Sequence, residues 1–469
     1  KIRWPLWVWW GYDVEIDGNK ISRRPRWLNW SVFLNDEYRE SEEWRKYRSP
    51  EVPWPEKGVR ALFIQWWNPF DQHDLAGKLV EKAKRGELEL IVVTDFQWTT
   101  SVEYADVVLP AAGWYEKYEL LATPVHPYVQ LGQPVHEPLF DAMPEIWIFK
   151  EIAVRLVKRL SERLGDNELK KLIGLTKREL LYLASNFYLD PDLQKREEDA
   201  RARGEWSLKL AREIANQASI LAIKAMLEAG KNVVWSEGVT VSLTEGITFE
   251  ELMKRPMRLR FPTPGHRQIP FWVQINRKVP FPQTTYPLPP ASTYRFVKSG
   301  RIEFYRDEKV FRDLGEELPV HKDPFEESLF KWFPHAKGKY EFIYITRNSP
   351  YRVHSTHSNN AMMLSLQDFR PRIWINPETA KKLGIKENDL VEVYNDFGRV
   401  VGYAALNPTI HPRVVIFEQG WWRRYTFGTG YNTPNYPWIK PIEIVYFSPG
   451  TWEPTTKWNN TLVNIRKIS

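Results

Sequence analysis

The chain has 469 residues, 43% hydrophobic and 27% charged, with a formal net charge of +7 from 66 basic and 59 acidic side chains. That length suits two or three domains, and so mild a charge excess, with no long basic run, argues against nucleic acid as a partner. The absence of cysteine excludes disulfides, thiolate metal sites and iron–sulfur clusters held by this chain.

No stretch of apolar residues is long enough for a transmembrane helix. The sequence begins at Lys1 without a signal peptide, so a processed or partial chain is expected. Abundant Lys, Arg and Pro with few Met would suit a thermophile. The 23 Trp and 35 Pro suggest a rigid, loop-rich protein with Trp in contact surfaces.

Residues 1–58 are Trp-rich and irregular, apart from a hairpin predicted over Val14–Ile21 with Asp17-Gly18 at its turn. The charged stretch 36–50 reads as a surface helix or loop. From 59 to 150 strands and helices alternate. Ala61–Gln65 reads as a strand and Asp74–Arg85 as a helix with Leu75, Leu79 and Val80 on one face, followed by a strand over Leu90–Thr94. Strand, crossover helix and strand form a right-handed parallel unit. A run that is apolar throughout, such as Ile91–Val93, is buried on both faces of a parallel sheet. A short strand over Asp106–Leu109 follows, ending at Pro110.

Residues 145–230 read as mainly helical, with amphipathic stretches over Ile146–Leu160 and Trp206–Ala229. The Pro-dense stretch 255–290 reads as an extended covering segment, and 306–340 as a linker. After Tyr340 the pattern is β, with strands over Glu341–Thr346, Arg372–Ile375, Leu390–Tyr394, Arg399–Leu406 and Val414–Glu418 and one helix near Pro377–Leu383. The expected fold class is α/β: a parallel Rossmann-like sheet with a helical insertion, followed by a C-terminal β-barrel. The expected domains are an irregular segment over 1–58, an α/β domain over 59–339 and a barrel over 340–469.

Three stretches carry candidate chemistry. At the strand ends stand Asn68, then Asp95 with Thr99, Thr100 and Ser101. An acid there can accept from guanine or from ribose hydroxyls, while hydroxyls and backbone N–H groups can hold phosphate, although Asp95 can equally serve as a turn cap. Tyr351–Asn360 supplies Arg352, His354, Ser355, His357 and Asn359, a set suited to hydrogen bonding a polar heterocycle. His354 and His357 stand at poor spacing for a metal, and no metal ligand is assigned. Gly420–Thr433 contains glycines that let backbone approach a ligand closely. No sequence feature nominates a catalytic nucleophile or an acid–base pair.

Four segments, in this order, resemble the molybdopterin oxidoreductases of the dimethyl sulfoxide reductase family: VVTDFQWTTSVEYADVVLPAAGWYEK, SGRIEFY, HSTHSNNAMML with INPETAKKLGIKENDLVEVYNDFGRV, and the closing TLVNIRKIS. WYEK, HSTHSNN and the final segment look most like the nitrate reductase branch. The resemblance implies two molybdopterin guanine dinucleotides holding Mo or W. Cofactor contacts implied in the α/β part are Asn68, Asp95, Thr100 and Asp106; in the barrel they are His354, Ser355, Asn359 and Asn432. It also implies that this chain is the C-terminal half of a catalytic subunit, because no iron–sulfur motif or metal-ligand segment is recognisable. The implied partners are the N-terminal half, an iron–sulfur electron-transfer subunit and a haem or membrane-anchor subunit. Iron–sulfur clusters would then reside only in those partners. The implied reaction is oxygen-atom and two-electron transfer, reducing nitrate or a related oxyanion in anaerobic respiration at the extracytoplasmic face of a membrane. The alternatives are a dehydrogenase of the same branch, acting on a hydrocarbon or sulfur compound, and a cofactor-free assembly subunit.

Overall fold

The computed structural model describes residues 59–72, 76–122, 128–173, 190–234, 240–259, 339–396, 398–435 and 459–468, with short strands at 2–3, 12–16, 19–23, 444–448 and 451–454 and a few isolated positions. The stretch 36–50, most of the Pro-rich run 255–290 and most of the linker 306–340 lie outside the described residues. The chain divides into two compact units, Lys1–Arg26 with Pro110–Glu303 and Trp27–Leu109 with Phe304–Ser469.

In the first unit, Tyr12–Ile16 and Asn19–Arg23 form the expected antiparallel hairpin, with Ile16 opposite Asn19. Its three longest described helices span Glu145–Arg163, Pro191–Ala202 and Leu208–Ala229. Asp190 caps the second by accepting from Asp192 N at 2.8 Å, with Pro191 supplying a first helical residue that needs no N–H partner. Ser207 caps the third. Lys150 is buried against Glu197 at 2.9 Å and sits 3.6 Å from the centre of the Trp147 ring. The unit also holds a three-stranded antiparallel sheet of Glu119–Ala122, Tyr128–Gly132 and Met257–Arg258, which the sequence reading did not find. These strands are short, and ELLA carries no β-branched residue, so neither periodicity nor propensity marks it.

The second unit opens with strand β1 (Ala61–Gln65), helices α1 (Pro69–Gln72) and α2 (Ala76–Lys84), strand β2 (Leu90–Asp95), helix α3 (Thr100–Glu103) and strand β3 (Val107–Pro110). The sheet order is β1-β2-β3, and β1 runs parallel to β2 with Leu62 opposite Ile91 and Ile64 opposite Val93. Residues 91–94 of β2 are buried at every position, as a central parallel strand requires. β1 instead alternates, burying Leu62 and Ile64 and leaving Phe63 exposed. Leu62, Ile64, Ile91 and Val93 pack with Phe70, Leu79, Tyr340 and Leu462 in one apolar core, so the sheet and the C-terminal strands share side chains.

The rest of this unit is a closed six-stranded barrel. Its elements are β4 (Phe342–Arg347), α4 (Ala361–Ser365), β5 (Arg372–Ile375), α5 (Pro377–Lys382), β6 (Leu390–Tyr394), β7 (Arg399–Leu406), β8 (Val414–Glu418) and β9 (Asn459–Lys467). The order around the barrel is β4-β8-β5-β7-β6-β9, with β4/β8 and β5/β7 parallel and the other pairs antiparallel. Tyr344, Ile373, Val391, Val393, Val400, Val415, Phe417 and Val463 fill its interior. The barrel carries every strand expected after Tyr340.

Candidate functional site

The carboxyl ends of β1 and β2 are built around Asn68. The following proline disfavours helical backbone at Asn68, so the residue stands outside α1 and caps it. Its carbonyl accepts from Asp71 N at 3.1 Å and Gln72 N at 2.9 Å. Its buried side chain donates through Nδ2 to Asp71 Oδ2 at 2.9 Å. Its Oδ1 accepts from Ser101 N at 3.0 Å and Ser101 Oγ at 2.8 Å. Only an amide both donates and accepts in this way, and here it ties the loop after β1 to the loop after β2. Asn68→Ala leaves the Ser101 N–H without its acceptor. Thermal unfolding of the variant is expected to show a loss of about 1–3 kcal/mol for the stranded group.

Asp71 is fully buried. Its Oδ1 accepts from Arg423 N at 3.1 Å and lies 3.9 Å from Arg423 Nε. Burial pushes its carboxyl up to about 6, while the neighbouring Thr100 hydroxyl, the Arg423 charge and the Asn68 amide pull it back. The Arg423 guanidinium is buried too and is drawn down by that burial, with Asp71 opposing. It donates to Phe70 O at 2.7 Å, Gly428 O at 2.9 Å and Thr429 O at 3.0 Å, and so stitches α1 to the glycine loop after β8. Gln72 completes the junction. Its Nε2 donates to Ser355 Oγ at 2.6 Å, and its carbonyl accepts from Asn432 Nδ2. Asn432 Oδ1 accepts from Asn435 Nδ2 at 3.0 Å, and Asn435 Oδ1 accepts from the Thr461 hydroxyl at 2.9 Å. Trp422 Nε1 donates to Ser355 O at 3.0 Å.

Asn68, Thr100, Ser355 and Asn432 are therefore brought together around α1. Asp95 stands on the same carboxyl edge, half-buried, where its Oδ1 accepts from Gln97 N at 2.9 Å and closes the turn into Thr99-Thr100. Asp106 is not part of this group. Its Oδ2 accepts from Ile91 N at 2.7 Å at the amino end of the sheet, about 13 Å along β2 from Asp95 at the usual rise per residue. His354 and Asn359 are exposed on the loop that buries Ser355 between them. His354 has a positive φ of 50°. Gly420 explains that turn: it adopts φ +97°, and a Cβ there would meet His354 O at 1.8 Å.

Asp71 and Gln72 were missed from sequence. Asn-Pro followed by an acid signals a helix start, and nothing local shows that the acid turns inward toward an arginine 352 residues later. Among the described residues no group of three or more His, Cys, Asp or Glu could hold a metal ion. Thr99 Oγ1 and Arg423 Nη2, both buried, are among the polar groups of the junction that find no hydrogen-bond partner among the described residues. A buried hydroxyl and a buried cationic N–H are suited to a ligand rich in acceptor oxygens, such as a phosphate-bearing dinucleotide.

Comparison with known proteins matches residues 47–155 to the family described as "Molybdopterin oxidoreductase" and residues 342–445 to the "Molydopterin dinucleotide binding domain". The respiratory nitrate reductase subunit alpha of Haloferax mediterranei is 26% identical over 432 residues, covering 87% of this chain and 39% of that protein. The perchlorate reductase subunit alpha of Dechloromonas aromatica is 29% identical over 320 residues, covering 67% of this chain and 28% of the relative. The chlorate reductase subunit alpha of Ideonella dechloratans is 26% identical over 394 residues, covering 81% and 37%. The chain thus spans less than two fifths of the length of these relatives. With its strand-end loops inside one match and strands β4 to β8 inside the other, the chain carries a molybdopterin oxidoreductase segment and a molydopterin dinucleotide-binding domain.

Proposed function

We propose that this chain is the C-terminal part of the catalytic subunit of a molybdenum or tungsten oxidoreductase carrying two molybdopterin guanine dinucleotides. In this reading it reduces nitrate or a related oxyanion in anaerobic respiration. One observation carries it: the two family-matched segments are joined through Asn68–Gln72 at the carboxyl edge of a parallel sheet, where α/β proteins take nucleotides. The nitrate, perchlorate and chlorate reductase relatives support the oxyanion class.

When bound, the metal–pterin group supplies oxygen-atom and two-electron transfer. The chain's own residues bind, orient and seal. Asp95 faces a guanine or ribose from the strand end. His354 and Asn359 offer exposed polar groups to the pterin side. Asn68, Thr100, Ser355 and Asn432 spend their side chains largely on the junction and hold the contacting loops in place. Asp106 fixes β3 against β2. The stretches 59–339 and 340–469 act as the two dinucleotide-binding domains. The remainder of the catalytic subunit, an iron–sulfur subunit and a haem or membrane-anchor subunit complete the assembly on the extracytoplasmic face of the membrane.

The test uses the native assembly. Plasma mass spectrometry is expected to find molybdenum or tungsten, and acid hydrolysis to release two GMP per metal. Absence of both overturns the reading. Reduced viologen dye is then expected to be oxidised by nitrate, chlorate or perchlorate. A metal-loaded assembly inert to all three would sink the oxyanion assignment and favour a dehydrogenase.

A further inference from the structure

Arg352 is a buried cation with no ion pair among the described residues. Its Nη2 donates to Gln367 Oε1 at 2.6 Å, but Nε and Nη1 are buried and have no partner among the described residues. The residue is 7% exposed. Its guanidinium carbon lies 4.2 Å from the centre of the Trp421 ring, and Trp421 is itself 1% exposed with its Nε1 unpartnered. Three donor nitrogens therefore lie buried and unpartnered in one arginine–tryptophan pair. Glu418, the nearby acid, is engaged elsewhere, with Arg347 and with Ser349 at 3.5 Å. Burial pulls the Arg352 guanidinium down to about 10, with Glu418, Tyr431 and Tyr425 opposing. Leaving charged donors unsatisfied in the interior is costly, so a fold retains them where something accepts.

We propose that Arg352 and Trp421 form a binding site for an oxyanion, whose oxygens accept from the free N–H groups of the guanidinium and from Trp421 Nε1. Nitrate and phosphate both carry several oxygens that accept charge-assisted hydrogen bonds from a guanidinium. The anion is either free or the phosphate of the bound dinucleotide, and only the second source rests on the function proposed above.

The experiment compares the native assembly with Arg352→Gln and Arg352→Lys variants in two measurements. Calorimetric titration with sodium nitrate and with inorganic phosphate reads a free-ion site; GMP released per metal reads a dinucleotide site. A free-ion site predicts that nitrate or phosphate binds wild type about tenfold or more tightly than the glutamine variant. A dinucleotide site predicts no titratable ion and a severalfold fall in GMP per metal. The lysine variant keeps the charge but loses Nε, and it is read by the same criteria where the glutamine variant does not assemble. Equal ion affinity and equal GMP content in variants and wild type overturn the site. If wild type lacks both metal and GMP, the function reading fails while the titration still decides the Arg352 site. If metal and GMP are present and neither readout responds, the site fails alone.

Discussion

Replacing Asp71 by alanine is expected to lower the stability of the sheet–barrel unit by about 3–5 kcal/mol, the range for breaking a buried ion pair from one side. The pair is not optimal in itself. Burial holds the carboxyl at about 6, so its ionised form is paid for by the rest of the junction. Removing it is worse, because Arg423 stays buried and three backbone carbonyls keep it there. Asp71→Asn should do less damage, since one oxygen remains to accept from Arg423 N. The pH dependence separates the two effects. The native carboxyl titrates at about 6 against 3.8 when unperturbed, so between those values the folded chain holds more protons than the unfolded one. The contribution of this group to stability therefore falls as pH rises from about 4 to about 6, by about 3 kcal/mol, and is level above. Thermal midpoints of wild type and Asp71→Asn, measured across that window, should differ in slope in that sense. Parallel curves would show that Asp71 is not titrating as its burial requires.

Gly420→Val is expected to prevent stable folding of the barrel, and Gly420→Ala to destabilise it by more than about 3 kcal/mol. Two independent constraints act here. The backbone sits at φ +97°, a region closed to side chains with a Cβ. The added carbon would also land 1.8 Å from His354 O and 2.7 Å from Arg352 Cδ, and the first of these atoms is backbone. The loop over Arg352–Ser358 would have to leave, taking the Ser358 hydroxyl bond to Gly420 O and the Gln72–Ser355 contact with it. Limited proteolysis within 350–360 reads this directly; an alanine variant as resistant as wild type would contradict the packing.

The parts of the fold that were legible are those with strong local patterns. Arg372–Ile375, Leu390–Tyr394, Arg399–Leu406 and Val414–Glu418 are bounded as their β-branched runs and turn residues predict. The helix after Ile375 announces itself by Asn376-Pro377, and Asn376 Oδ1 indeed accepts from Glu378 N at 2.8 Å. α4 was hidden behind a polar stretch whose last residue, Asn360, caps it by accepting from Met362 N at 3.0 Å and Met363 N at 3.2 Å. The candidate site was half legible. Residue types at strand ends pointed to the carboxyl edge of the sheet, but side-chain direction is set by partners far along the chain. Asn68 and Asn432 carry the polar groups a ligand would want and spend them on Ser101, Asp71, Gln72 and Asn435.

The position of β9 in the barrel has a consequence for biogenesis. This strand lies between β4 and β6, pairing Phe342 with Val463 and Val393 with Ile465, and it carries Thr461, the last link from Asn432 through Asn435. A nascent polypeptide halted before residue 459 has two unzipped edges and an unfinished polar relay. Any feature that depends on the closed barrel is therefore complete only once translation has passed this point.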